Sequence, residues 1–431
     1  MIVPIIKTTD CGCLVFNGHM IYLDYAATTP LSPAALAAMQ PYLSDVFANP
    51  ASLHSAGRAA NAALENARSS VAAALGAESP NTITVTGGGT DGSNLVILGL
   101  AKRWEAEIPP KDCHIIISAI EHEAVLNPAL ALQQRGWQCT VLPVSPTGHV
   151  TVKALEKALQ ETSSKKILVS IMHANNEIGS IQPIEALAEI AHRYSAVFHT
   201  DAVQTVGKIP VEVQQLGVDY LTWSAHKHYG PKGVGGLYSA NHAEQPEAIV
   251  LGGGQENGLR SGTVNVAGAV GMAAALEECI AAQTETYAHL CNLSQQLQDG
   301  IRHLPLPCQV MINTPVNHAM PGVVHLSVLG NEAPLEGESL LLQLDLMGIA
   351  ASSGSACHAA ALEPSRIIQA LIVGETASRP LTPLELARAT GTLRFSMGKH
   401  TTSQEIDTLL AALPKVLSRL IKRPSTTVGA C

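Results

Sequence analysis

The stretch SAHKHYG at residues 224–230 sets Lys227 between two histidines, just after the apolar run VDYLTWS (218–224) and just before a Gly-Pro-Lys-Gly turn. Lysine is costly to bury, so its position where a core strand would end asks for a chemical use. Asp201 closes an earlier run of the same kind, AVFHTD (196–201). One short connection separates the two runs. Neighbouring parallel strands would bring both ends, and both side chains, to one place. A third feature is TGGGTDGSN (86–94), which follows NTITVT and precedes an apolar helical stretch near Leu95. Glycines such as Gly89 let the backbone approach an anion, and a helix N-terminus offers free N–H groups to it. Thr90 adds a hydroxyl. Ser224 and His226, immediately before the lysine, add further donors.

These groups suit pyridoxal phosphate. A lysine forms a Schiff base with its aldehyde, an aspartate keeps its pyridine nitrogen protonated, and the ring becomes an electron sink. Taken alone, Lys227 and Asp201 read more simply as a salt bridge, or as a solvated lysine in a turn. Two other pattern matches lack their companions. GGGTDG (87–92) fits the dinucleotide fingerprint, but that motif wants an acid about 20 residues on at the end of the next strand. Asp112 precedes its strand HIIIS, and Glu121 lies too far along. Ser224-Ala-His-Lys227 fits S-x-x-K, without the S-D-N and K-T-G that accompany it in penicillin-recognising enzymes. Cys357 is the remaining reactive candidate. It sits in SSGSACHAAA among small residues, with no apolar periodicity, which reads as a loop position. A thiol attacks as its thiolate and ordinarily titrates at about 8.5. His358 stands beside it. A stray exposed cysteine is the alternative reading. Cys11-x-Cys13 is too tight for a zinc knuckle, and no metal site is expected.

Holding these groups calls for an α/β scaffold. Short β-branched runs occur at 81–86, 114–118, 138–144, 166–172, 196–201, 218–224 and 234–239, with Ala- and Leu-rich helical stretches between many of them. Such alternation predicts a mostly parallel seven-stranded sheet. The last run follows its neighbour through a tight Gly-rich turn and is expected to be antiparallel. Every candidate residue then falls at a strand's C-terminal end or in a loop, where open α/β sheets bind ligands. The Gly-rich loop 251–263 leads into a long helical stretch over 265–303, and SRPLTPLELARA (378–389) reads as a loop and a short helix. A chain of 431 residues exceeds the roughly 250–300 at which a single core stops growing. The expected organisation is an extension over 1–19, a large cofactor-binding domain over 20–264 whose first roughly 15 residues can pack on the smaller domain, and a smaller α+β domain over 265–431 that carries the cysteine loop.

With 46% hydrophobic and 14% charged residues the chain is expected to be globular, and a net charge of −9 argues against a nucleic-acid footprint. No apolar run reaches the ~18–20 residues of a membrane span. The opening MIVPIIKTTDCGC is a poor signal peptide. Nine cysteines scattered along a long chain are expected to be mostly reduced. A soluble, cytoplasmic protein is the expectation.

The same pieces occur together in a known family. From residue 21 onward the chain resembles the cysteine desulfurases, fold-type I pyridoxal-phosphate enzymes. The matching text is LDYAATTP (23–30), NPASLHSAGR (49–58), GGGTDGSN (87–94), EHEAVL (121–126), HANNEIGS (173–180), HTDAVQTVGK (199–208), SAHKHYGPKGVGGLY (224–238), GLRSGT (258–263), SSGSACHAAALEPS (352–365) and LRFSMG (393–398). The resemblance implies that Lys227 carries the cofactor, Asp201 pairs with its ring nitrogen, and Gln204 donates to its ring oxygen. His122 would stack on the ring and shuttle protons. Gly89, Thr90, Ser224 and His226 would hold the phosphate, joined by Thr263 from the other subunit of a homodimer. Asn176 and Arg394 would anchor the substrate, with Asn176 also touching the cofactor, and Cys357 would be the nucleophile. The implied reaction removes sulfur from L-cysteine, giving L-alanine and a persulfide that passes to an acceptor such as an iron–sulfur scaffold or a tRNA-thiolating protein. A selenocysteine lyase, a cystine lyase and a non-catalytic sulfur-assembly scaffold share the fold and remain alternatives.

This chain departs from the family text in four places. Gly87 replaces a serine and Asp91 a glutamate in the phosphate cradle. The stretch between Cys357 and Arg394 is longer than usual, and His228 follows the lysine. A cap on the turn is the role expected of that imidazole.

Overall fold

The computed structural model describes residues 20–330, 334–353, 364–374 and 379–421. The strands are β1 (Ile21–Tyr22), β2 (Ile83–Thr86), β3 (Cys113–Ser118), β4 (Gln138–Leu142), β5 (Lys166–Ser170), β6 (Val197–Asp201), β7 (Tyr220–Ser224), β8 (Gly235–Ser239), β9 (Gln309–Ile312), β10 (Val323–Leu329), β11 (Ile349–Ala350) and β12 (Thr392–Ser396). The chain divides into two compact units. One comprises 28–175 and 180–286; the other comprises the N-terminal residues to Ala27, a short insert at Asn176–Gly179, and Tyr287 onward.

The larger unit is built on a seven-stranded sheet in the order β2-β8-β7-β6-β5-β3-β4. Strands β4, β3, β5, β6 and β7 are parallel, while β8 runs antiparallel to both β7 and β2. Each of the seven β-branched runs contributes one strand. Central strands such as β3 and β7 are buried throughout, which is why they read as continuous apolar runs without alternation. The core gathers Trp104, Ile115, Ile117, Leu168, Tyr220 and Leu237, all essentially inaccessible. The reversal at β8 follows from the short Gly-rich link after β7, too short for a helical crossover.

The unit boundary falls after Thr286, whereas the sequence suggested 264. The reason is packing. Helix Val266–Ala281 lies against helix Ser55–Ala74, where Val266 and Val270 cover Ala60 and Ala63. The long helical stretch is also two helices, Val266–Ala281 and Gln283–His303. No single helix among the described residues is long and apolar enough to cross a membrane.

The smaller unit carries a three-stranded antiparallel sheet, β12-β10-β9, and the parallel pair β1–β11. Its core includes Leu23, Leu297, Val324, Phe395, Leu409 and Val416. Two short helices have sequence-encoded starts. Ser365 accepts from the Ile368 N–H to open Arg366–Val373. Thr382 and Glu385 form a reciprocal capping box at Pro383–Thr390, with proline in the first turn where its missing N–H costs nothing.

Candidate active site

Asp201 is the last residue of β6, and β7 lies beside it in parallel with Asp201 opposite Thr222. Three residues beyond the end of β7, Lys227 ends a single 3-10 turn, Ala225–Lys227. The adjacency expected from the two runs is thus realised by register. Asp201 is 5% exposed, and its Oδ1 accepts from the Val203 N–H at 2.9 Å. Burial pushes its carboxyl above the usual range, and the charges of His122 and Lys227 together with the Val203 bond pull the other way. An acid so placed holds its charge best against a cation.

The lysine turn is clamped by LDYAATTP, a stretch given no role from sequence. The Thr29 N–H and hydroxyl both donate to the His226 carbonyl, at 3.0 and 2.9 Å, and Thr29 Oγ1 accepts from the Tyr229 N–H at 2.8 Å. Thr28 Oγ1 meets His226 Nδ1 at 3.1 Å. Burial, reinforced by Lys227, Lys232 and Lys208, lowers the His226 pKa to about 4, so the ring is neutral near pH 7. Ser224 closes β7 and is buried. His228 does not cap the turn as expected. Its ring is 1% exposed, and neither nitrogen has a partner among the described residues. Its backbone is engaged instead, the N–H donating to the Ala225 carbonyl at 3.0 Å and the carbonyl accepting from the Cys279 thiol at 3.3 Å.

The cradle differs from its sequence reading in one respect. Helix Gly89–Glu105 begins inside the glycine run rather than near Leu95, so Thr90 lies in its first turn. Gly88, its N-cap, has φ +148, a conformation that L side chains rarely adopt. Asp91, one methylene shorter than the family's glutamate, still closes the loop. Its Oδ2 accepts from the Gly87 N–H at 2.6 Å and from Arg260 Nε at 3.2 Å. First-turn N–H groups and the Thr90 hydroxyl therefore stand at a 17-residue helix's positive end.

His122 caps helix Glu123–Gln134, with Nδ1 accepting from the Ala124 N–H at 3.1 Å. In the neutral ring this leaves the proton on Nε2. Gln204 is buried, and its Oε1 accepts from Lys208 Nζ at 2.9 Å. Thr263 is exposed on the loop that follows Glu256. That loop is held by a fork-to-fork pair, Arg68 Nη1 and Nη2 to Glu256 Oε2 and Oε1 at 2.8 and 2.9 Å.

Asn176 and Arg394 belong to the smaller unit. Arg394 is 3% exposed rather than a surface residue. Its Nη1 donates to the Asn176 carbonyl at 2.8 Å and its Nη2 to Asp24 Oδ1 at 2.7 Å. Asp24 was another residue of LDYAATTP without a sequence-derived role. Cys357, residues 1–19, part of the extra length (375–378) and the C-terminal tail lie outside the described residues.

The donor set fits pyridoxal phosphate. It combines a lysine on a clamped turn, a buried acid at the neighbouring strand end, and a glycine-bounded helix terminus. The sequence pattern of the Aminotransferase class-V family matches residues 21–409. The chain belongs to that family. Among similar members, the cysteine desulfurase IscS of Dictyoglomus turgidum is 43% identical over 401 residues, covering 93% of this chain and 95% of that protein. Human cysteine desulfurase is 41% identical over 392 residues, covering 90% of this chain and 79% of its own. Of solved structures, a NifS-like protein superposes with TM-score 0.81 at 34% identity, over 93% of this chain and all (100%) of its own. SspA in complex with cysteine gives TM-score 0.72 at 30% identity, over 89% and 100%. The α/β architecture of this class-V member, with its mostly parallel sheet, is that of fold-type I pyridoxal-phosphate enzymes.

Proposed function

We propose that this protein is a pyridoxal-phosphate-dependent cysteine desulfurase, with Lys227, His122 and Cys357 as its catalytic residues. The observation that carries the proposal is the pairing of the Lys227 turn with buried Asp201 at adjoining parallel strand ends. In this reading the Asp201 carboxylate holds a proton at the pyridine nitrogen. The Thr90 and Ser224 hydroxyls, His226, and the first-turn N–H groups from Gly89 bind the phosphate. Gln204 orients the ring oxygen. When bound, the cofactor draws electrons from the substrate's α-carbon and weakens the bonds beside it. The Lys227 amine moves the α-proton, with His122 Nε2 as a second carrier. Arg394 takes the substrate carboxylate, aided by Asn176. The Cys357 thiolate then forms a bond to the substrate sulfur as the carbon–sulfur bond breaks. The carbon keeps the electron pair and takes a proton, so L-alanine leaves and the enzyme retains a persulfide.

Supporting context comes from the relatives named cysteine desulfurase. The five described cysteines, Cys113, Cys139, Cys279, Cys291 and Cys308, are free thiols, which suits a reducing cytoplasm. A homodimer is part of the proposal. Leu43, Phe47, Leu53 and Leu251 are 63, 80, 89 and 76% exposed, and the proposal places Phe47 and Leu53 at the dimer contact. The persulfide would pass to an iron–sulfur scaffold or a tRNA-thiolating protein.

Four measurements test this. With L-cysteine, wild type should form alanine and gain one sulfur on Cys357 by mass spectrometry. Cys357→Ala should bind the cofactor yet release no sulfide, and undiminished release would refute the nucleophile assignment. Assays of cysteine against selenocysteine and cystine discriminate the two lyase alternatives, and faster turnover of either compound would favour the corresponding lyase. Phe47→Glu with Leu53→Glu should turn a dimer into a monomer by sedimentation.

A further inference from the structure

Two buried donors in the smaller unit find no acceptor among the described residues: Nε of Arg394 and a ring nitrogen, Nε2, of His325. They sit on directly opposed residues of β10 and β12. The His325 N–H donates to Thr314 Oγ1 at 2.8 Å, and its carbonyl accepts from the Asn313 N–H at 2.8 Å. Arg394 turns its backbone the other way, exchanging both bonds with Ser352 at 3.2 and 2.5 Å. The two residues therefore form a non-hydrogen-bonded antiparallel pair, the kind whose Cα atoms lie about 4.5 Å apart and whose side chains come closest. Directly opposed side chains share a face of the sheet.

The hydrogen-bond network assigns the imidazole proton. Arg388, on helix Pro383–Thr390, donates from Nε and Nη2 to Asn313 Oδ1 at 3.3 and 2.9 Å. Arginine only donates, so the Asn313 amide orientation is settled. Its Nδ2 then donates to Ser327 Oγ at 2.7 Å and to His325 Nδ1 at 3.0 Å. With Nδ1 accepting, the neutral ring carries its proton on Nε2. Burial, with Arg394 and Arg388 nearby, lowers the His325 pKa to about 3 and keeps the ring in that form. Two N–H groups on adjacent side chains thus need the same thing, an oxygen. More than about 90% of buried polar groups have a partner, and a buried water typically makes about three hydrogen bonds.

We propose that the Nε2–H of His325 and the Nε–H of Arg394 jointly hold one ordered water oxygen, which makes His325 a positioning residue for the guanidinium. Asp24 and the Asn176 carbonyl fix the Nη ends, and the water fixes the Nε edge. The fork is then set before a carboxylate arrives, and less freedom is lost on binding. The proposal rests on Arg394 being the substrate's carboxylate anchor.

The test compares holoenzymes of wild type, His325→Leu and His325→Gln in steady-state turnover of L-cysteine, alongside a ligand-free crystal structure of the wild type. His325→Leu should raise KM about tenfold, equivalent to about 1.4 kcal/mol, with kcat and cofactor content unchanged. His325→Gln, which keeps an N–H donor, should restore KM to within about threefold of wild type. The crystal should show an oxygen within hydrogen-bond distance of both nitrogens. An unchanged KM in His325→Leu, no rescue by Gln, or a parallel loss of kcat and cofactor would overturn the positioning role. So would an oxygen seen only when cysteine is bound. If wild type makes no alanine, the desulfurase reading fails by itself, and the ligand-free structure still decides whether the two donors share a water.

Discussion

At the scale of single residues, types and spacing made Lys227, Asp201, Thr90 and Ser224 candidates, because each role needs a particular side chain at a strand or helix end. What held them was not legible. Asp24, Thr28 and Thr29 act through contacts to residues 197 to 370 positions away, and no local pattern encodes a partner at that distance. His228 shows the same limit. Its neighbours in the chain suggested a cap on the turn, yet the imidazole is buried, neither ring nitrogen has a partner among the described residues, and its pKa falls to about 3. An unsatisfied buried group costs about 1–3 kcal/mol, while an apolar side chain of similar shape is neutral or better. His228→Leu should therefore raise stability by about 1 kcal/mol, read as a higher urea midpoint at unchanged slope. A lower midpoint would show that the ring has a partner.

At the scale of elements, β-branched runs identified every strand of the main sheet, and SRPLTPLELARA (378–389) was legible as a loop and a short helix. The helix at Gly89 began earlier than expected because its first turn is closed by Asp91, an effect hidden by three successive glycines of poor helix propensity. Position 89 also has no room. A Cβ there would lie 2.4 Å from Val203 Cγ2, two residues past Asp201. Gly89→Ala should push the cradle away from the acid, costing about 1–3 kcal/mol. The expected result is pyridoxal phosphate binding at least about tenfold weaker by fluorescence titration, or about 1.4 kcal/mol. Equal affinity would mean that the helix start takes no part in the site.

At the scale of the whole molecule, buried histidines set the response to acid. His114, His173 and His226 have pKa values lowered to about 4, and His199, His228 and His325 to about 3, all chiefly by burial. In the unfolded chain histidine titrates near about 6.5. Below that pH the unfolded state binds protons that the folded state refuses. The stability is thus complete above about pH 6.5 and declines as pH falls toward about 3–4. His192 opposes this, because its bond to Asp219 raises its pKa, but it is one group against six. The urea midpoint should drop between about pH 7.5 and pH 5, and a flat profile would contradict the neutral assignments. None of this was visible in the one-dimensional text, where seventeen histidines (17) look alike. Local chemistry alone told which segments are strands and which loops carry donors. Those properties depend on neighbours within a few residues. Packing alone decided where the units divide, which histidines are buried, and what orients Arg394, since burial and long-range hydrogen bonds exist only once distant segments meet.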